Sequence, residues 1–276
     1  MRTLGAGSAV TTTYAYNAAN ELCWAFTGTS ANPCGSVPSG ATTYAYDPAG
    51  NRTTGSVGYD ALSRLTSLAG TSLDYLSPGS GELTSYGTTS FQNNIMGLSR
   101  EIRSSGSTNT LIRQPNGALV AQRVGTTSKQ WIFTDNLGST VAMADSASNT
   151  LARRYTYTPD GDPSTSGTGA TTDVQYAGGQ RISNLYHYGA RYYDPLTASW
   201  TQQDPINQIG SLGQANRYSY AAGDPVNGSD PSGALSFSVG VDLGPDSVGV
   251  TVNHDFSSHV YRQVTRLATH MALTLK

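Results

Sequence analysis

Charge is scarce in this chain of 276 residues: Asp, Glu, Lys and Arg make up 12% of it, about half the ~25% of ordinary soluble domains. The net charge of −2 offers no basic face for neutralising phosphates, so neither nucleic acid nor an anionic membrane surface is an expected partner. Long apolar runs are also missing. None approaches the ~18 residues of a membrane-spanning helix, and residues 1–10 lack the charged and apolar regions of a signal peptide. Cysteine is limited to Cys23 and Cys34 in CWAFTGTSANPC, without the close Cys/His spacing of a zinc site, so no metal or cofactor is expected. Gly28, Asn32 and Pro33 can fold that stretch back on itself. The pair is either a disulfide, which argues for an oxidising compartment, or two buried free thiols.

What the chain has in quantity is Gly, Ser, Thr and Tyr, the palette of many short strands and tight turns. A unit recurs: paired tyrosines, an Asn or Asp, then a turn. Tyr14, Tyr16 and Asn17 lead to Leu22; Tyr44, Tyr46 and Asp47 lead to Gly50, Asn51 and Arg52; Tyr59 and Asp60 lead to Arg64 and Leu65. Alternate tyrosines share one face of a strand, and Asp with Gly-Asn tolerates left-handed turn geometry, so each copy reads as a β-hairpin. From residue 71 to 127 the signal weakens. Ile95, Met96, Leu98, Leu111, Ile112, Leu119 and Val120 supply apolar positions for further strands. Residues 131–145, WIFTDNLGSTVAMAD, give two strands around a turn at Asp135, Asn136 and Gly138, and DPSTSGTGATTD at 162–173 is a polar loop.

TYAYDPAGNRTTG and GYDALSRLTSL resemble the YD repeats of the RHS/YD-repeat family. The later series, namely the DNLGS hairpin, LYHYGARYYDP with Trp200, QQDPIN, NRYSYAAGDPVN and SDPSG, is similar to that family's RHS-repeat-associated core. The resemblance covers 131–233 well and 14–68 as repeats. The chain departs from the pattern at Asn207, where the family has Gly, at Ala198-Ser199 before Trp200, and at Ala234 after DPSG. The resemblance implies an all-β fold: a curled antiparallel sheet of YD-type hairpins, part of an RHS shell. Repeats fill 1–127, the core 128–233 and a variable tail 234–276. In the tail, Phe237 to Leu243 and Val248 to Val252 alternate around Gly244-Pro245-Asp246 as a hairpin. Val260, Val264, Leu267, Met271 and Leu275 mark one face of a short C-terminal helix.

Half of the 12 prolines follow Asp, at Pro48, Pro163, Pro195, Pro205, Pro225 and Pro231, which by itself is turn chemistry. The resemblance gives Asp204 and Asp230 a second meaning, because the family's two Asp-Pro motifs are associated with self-cleavage just after the second. That chemistry needs two carboxyl groups close enough to share a proton, one activating water and the other polarising the scissile carbonyl. Asp194 is a third candidate, Arg191 can hold a carboxylate ionised, and His187 is either an alternative base or a hydrogen-bonded core residue. In the tail, His254, Asp255, His259, Arg262, Arg266 and His270 read as part of a structural cap rather than a nuclease cluster.

Geometry limits what such a shell encloses. At ~16 Å² of sheet per residue, residues 1–233 tile a sphere of ~17 Å radius with a lumen of ~12 Å. A 100-residue domain, with a radius of gyration of ~13 Å, does not fit. The expected function is therefore a core module of a secreted or cell-surface toxin or delivery protein. It is a segment of a larger shell, a self-associating module or a solid-cored sheet, which presents its own C-terminal segment or cargo. The alternative is a tyrosine-rich binding, adhesion or self-assembling sheet, contacting glycans, a cell surface or further RHS chains through sheet edges.

Overall fold

The loops beginning at Asn17, Asp47, Asp60, Arg103, Gln114, Asp135 and Thr158 share one hydrogen-bond pattern. The first residue's N–H donates to the carbonyl four residues on, and the fourth residue's N–H donates back to the first carbonyl. The fourth position has positive φ throughout, from 59° at Ser63 to 89° at Gly117, which is a type I turn closed by a bulge. Where the first residue is Asn17, Asp47, Asp60 or Asp135, its Oδ1 also accepts the N–H groups two and four residues on. This is what Asp or Asn at the start adds to the turn.

The computed structural model describes residues 2–4, 10–205, 216–234, 237–238 and 251–252. The fold is all-β and antiparallel. Four strands form an N-terminal sheet: β1 (Arg2–Leu4), β2 (Val10–Tyr16), β3 (Leu22–Thr27) and β4 (Thr42–Thr43). A twelve-stranded meander follows, each strand paired with the next: β5 (Val57–Tyr59), β6 (Leu65–Leu68), β7 (Thr71–Tyr75), β8 (Leu83–Tyr86), β9 (Thr89–Asn94), β10 (Gly97–Ile102), β11 (Thr108–Arg113), β12 (Leu119–Val124), β13 (Ser128–Thr134), β14 (Thr140–Asp145), β15 (Leu151–Tyr157) and β16 (Pro163–Gly167). A third sheet comprises β17 (Gln180–Ile182), β18 (Leu185–Tyr188), β19 (Arg191–Asp194) and β20 (Ser199–Trp200). β21 (Gly228–Ser229) pairs with β22 (Phe237–Ser238), and β22 with β23 (Thr251–Val252). The expected C-terminal helix and the tail's His and Arg residues lie outside the described residues.

One buried apolar side chain from each of β7 to β15 points to the same face, from Leu73 to Tyr155. That face is covered by Val174, Ile182, Leu185 and Tyr192 of the third sheet and the segment leading to it, which join it in one apolar cluster. Curling is required by two neighbouring tyrosines. The Tyr192 hydroxyl bonds that of Tyr75 on β7 at 2.8 Å, while Tyr193 donates to Asp160 O, just after β15, at 2.9 Å. In a flat sheet those partners lie ~38 Å apart, eight strand spacings. Two adjacent side chains reach both, so the sheet wraps around the third sheet, which acts as a plug.

Three expectations change. Pro163–Gly167, within the segment expected to be a polar loop, forms β16, because its backbone pairs antiparallel with β15 while its polar side chains stay exposed. Ile95 and Met96 are not strand residues but the turn between β9 and β10, with Ile95 90% exposed. The tyrosines of the plug are not a contact surface either: Tyr176, Tyr186, Tyr188, Tyr193 and Tyr220 form a buried aromatic cluster around Trp200. The hydroxyls of Tyr176, Tyr186, Tyr188 and Tyr193 explain the choice of Tyr over Phe at those positions, because each staples a main-chain carbonyl. Tyr176 bonds Pro225 O at 2.8 Å, Tyr186 bonds Gly161 O at 3.0 Å and Tyr188 bonds Tyr176 O at 2.6 Å.

Candidate functional site

β18 and β19 read LYHY and RYYD, and all eight residues are buried. Arg191 and Asp194 begin and end β19. Being three apart they face opposite sides of the strand, which seeds two separate ion clusters.

The first cluster is built on Arg191. Its guanidinium lies 4.2 Å from the Trp200 ring centroid, and its Nη2 meets Asp204 Oδ2 at 3.0 Å and Asp230 Oδ2 at 3.1 Å. The two carboxylates therefore lie within two hydrogen-bond lengths of one another. Arg191 Nε donates to the Gly233 carbonyl. Desolvation lowers the Arg191 pKa from its ordinary value, opposed by the two carboxylates. Arg217 braces the arrangement, its Nη2 donating to Asp204 O at 2.6 Å. The DPSG sequence shapes the exit from the plug. Asp230 Oδ1 accepts from Ser232 Oγ at 3.0 Å and from the Ala234 N–H at 3.3 Å, and the Ala190 N–H bonds Ser232 O at 2.9 Å. Gly233 has φ +66°, and a Cβ there would run into the carbonyl oxygen of Tyr188, so only glycine fits.

The second cluster takes Asp194 away from that pair. Asp194 Oδ2 meets Arg52 Nη2 at 2.7 Å, and Arg52 Nη1 donates to Thr197 Oγ1 at 3.1 Å, all three residues being buried. Arg52 belongs to the repeat loop opened by Asp47. Its N–H also bonds Thr201 O at 2.8 Å, and Tyr218 donates to Gly50 O at 2.7 Å. Arg52 reads in the sequence as the first residue of the hairpin's return strand. A buried arginine demands an acid, but nothing in the sequence says which.

His187 stacks on Tyr192 with ring centroids 4.7 Å apart and bonds Gly189 O at 2.9 Å. Burial pulls its pKa down to about 4, so it is neutral near pH 7. Cys23 and Cys34 are joined as a disulfide, Cα atoms 5.4 Å apart, beside the buried Trp24. A third cluster escaped the sequence reading. Glu101, 1% exposed, sits beside Asp173 with Asn109 Nδ2 at 3.1 Å, and Arg103 lies 3.5 Å from Asp173 and 3.7 Å from Glu101. Desolvation and the neighbouring Asp173 push Glu101 up to about 7. Among the described residues, no group of three or more His, Cys, Asp or Glu could hold a metal.

With the geometry established, comparison with known proteins adds a partial likeness. No family model matches the chain. It is 36% identical over 61 residues to toxin subunit YenC2 of Yersinia entomophaga, covering 22% of this chain and 6% of that protein. It is likewise 36% identical over 85 residues to YlbH of Escherichia coli K12, covering 31% of this chain and 34% of that protein. The chain thus spans about a third of the length of one of these curated relatives and 6% of the other. The Photorhabdus luminescens Tc holotoxin pore aligns over 87% of this chain and 11% of that one, at 16% identity and a TM-score of 0.42.

Chemically, the Arg191 cluster sets two carboxylates against one guanidinium, and it grips both sides of a single peptide bond. The carbonyl of Gly233 is held by the cation, and the N–H of Ala234 by one of the acids. The Arg52 cluster is one to one and touches no exit strand.

Proposed function

We propose that this chain is a core module of an RHS/YD-repeat protein of the toxin-delivery kind. It is a secreted or cell-surface β-scaffold that holds the polypeptide leaving at Gly233 and cuts itself there. The observation that carries this reading is the grip of Arg191 and Asp230 on the two sides of the Gly233–Ala234 bond. In the cut, one carboxylate takes a proton from water and the water oxygen adds to the Gly233 carbonyl carbon. Arg191 balances the charge growing on the carbonyl oxygen, and the partner acid protonates the Ala234 nitrogen as the C–N bond breaks. Asp204 and Asp230 share these two roles.

The likeness to a toxin subunit over 61 residues supports the delivery part, and the Cys23–Cys34 bridge supports an oxidising compartment. Residues 1–127 serve as repeats, 128–233 as the core and 234–276 as the presented segment. The edge strands β5 and β16 are the places where further RHS chains would add. Intact mass tests the proposal. The wild-type chain is expected to split after Gly233, and Asp204→Asn and Asp230→Asn to remain whole. Each of these changes slows the reaction by ~10²–10⁴-fold. A folded wild-type chain that stays whole, its mass indifferent to Asp204→Asn, removes the self-cleavage.

A further inference from the structure

Gln202 directly follows Thr201 at the end of the β19–β20 hairpin and is 1% exposed. Its Oε1 accepts from the Tyr192 N–H at 3.0 Å and from Thr201 Oγ1 at 2.8 Å. The main-chain donor settles which end of the amide is oxygen, so Nε2 is the other end, and it has no acceptor among the described residues. A buried donor left without a partner costs ~1–3 kcal/mol, and native folds supply one, often water. The room for water is present. Gln202 lines a cavity of 230 Å³ together with Ala190, Arg191, Arg64, Gly81 and Pro205. That volume holds several waters at ~30 Å³ each, and its wall is polar enough to order them. Arg64, from the repeat loop opened by Asp60, builds the outer wall by donating to Ser77 O at 2.8 Å and to Ser80 O at 2.9 Å. Arg191 on the inner wall is the residue that carries both carboxylates and the Gly233 carbonyl.

We propose that Gln202 positions the water that opens the Gly233–Ala234 bond, as a positioning residue and not as an acid or base. The inference rests on the reading of that bond as the one cut. Gln202 Nε2–H donates to one lone pair of the water oxygen. The other lone pair is left to attack the Gly233 carbonyl carbon, and one O–H is left to give its proton to the ionised carboxylate. The new C–O bond forms, the C–N bond breaks, and the acid partner's proton goes to the Ala234 nitrogen. The products are a Gly233 carboxyl and an Ala234 amine. An amide suits this role because it donates without titrating, and Oε1 is held so that Nε2 cannot turn away.

The test follows self-cleavage of the whole chain in timed cell-free synthesis, with wild type, Gln202→Glu and Gln202→Leu compared from acid to neutral pH and the thermal midpoint of each recorded. Gln202→Glu keeps the acceptor for Tyr192, loses the donor and, while ionised, adds a negative charge to the cavity. It is expected to cut about 10²-fold more slowly at neutral pH and to recover as the pH falls and its own carboxyl becomes a donor. Arg64 and Arg191 are the charged residues that line the cavity with it, and Arg191 carries Asp204 and Asp230. Gln202→Leu is expected to be slow at every pH. Synthesis in ¹⁸O-water should place the label in the Gly233 carboxyl. Wild-type cutting together with Gln202→Glu cutting at the same rate, or slowly with no acid recovery, overturns the positioning role and leaves the cleavage standing. A wild-type chain that does not cut overturns both.

Discussion

Arg191 and Asp194 stand on one short strand, equally buried, yet the clusters they anchor differ in charge balance. Arg52 and Asp194 meet one to one, with Thr197 filling a remaining donor, which is how a fold buries charge when it wants only a fastening. Arg191 meets two carboxylates and a main-chain carbonyl at the place where the chain leaves the plug. A fastening does not need the second acid. The second carboxylate is the difference between the two clusters on which the proposed self-cleavage rests.

Three changes sharpen that contrast. Asp194→Ala leaves Arg52 buried without its acid and is expected to cost ~3–5 kcal/mol, read as a lower urea midpoint, while the proposed self-cleavage is expected to persist in the folded fraction. The paired change Arg52→Met with Asp194→Leu should restore most of that loss. If Asp194→Ala abolished cutting in chains that are fully folded, the two clusters would be one. The next effect concerns the other place where acids outnumber bases, Glu101 with Asp173 beside the half-exposed Arg103. The folded pKa of Glu101, about 7, stands above its ordinary 4.5. The folded state therefore holds a proton that the unfolded chain releases. That stability is whole below about pH 4.5 and is lost as the pH rises to about 7, a fall of about 3 kcal/mol. Urea midpoints against pH should show the slope, and Glu101→Gln should flatten it; an unchanged slope would mean that the surplus acid there carries no proton. The smallest effect lies in the repeat loops. Gly117→Ala adds a Cβ that meets nothing within 4 Å, so only the backbone at φ +89° is strained, at ~1 kcal/mol by thermal melt.

The repeat sheet was readable in the sequence because its causes are local. Asp47 and Asp60 bond their own loops, Gly50 and Gly138 supply positive φ, and alternating apolar residues such as Ile132 and Met143 face one way. The plug was readable only through resemblance, which singled out Arg191, Asp204 and Asp230 but set Asp194 beside them. Its bonds join residues far apart in sequence. In sequence Arg52 is the start of a return strand, Glu101 carries no signal and Gln202 is part of a QQDP string, since burial leaves no mark on composition or spacing. Ile95 and Met96 misled in the opposite sense, being apolar residues that occupy a turn.

The bond between Arg52 and Asp194 closes 142 residues of chain, and that between Gly50 and Tyr218 closes 168. Links of that span are entropically costly to close and form late in folding. During synthesis Arg52 emerges early, and its acid, Asp194, is made only after the whole meander. The strand that carries Arg191 is tied down at its far end by that late event, so anything done by the residues at its near end dates the moment at which the chain finished folding.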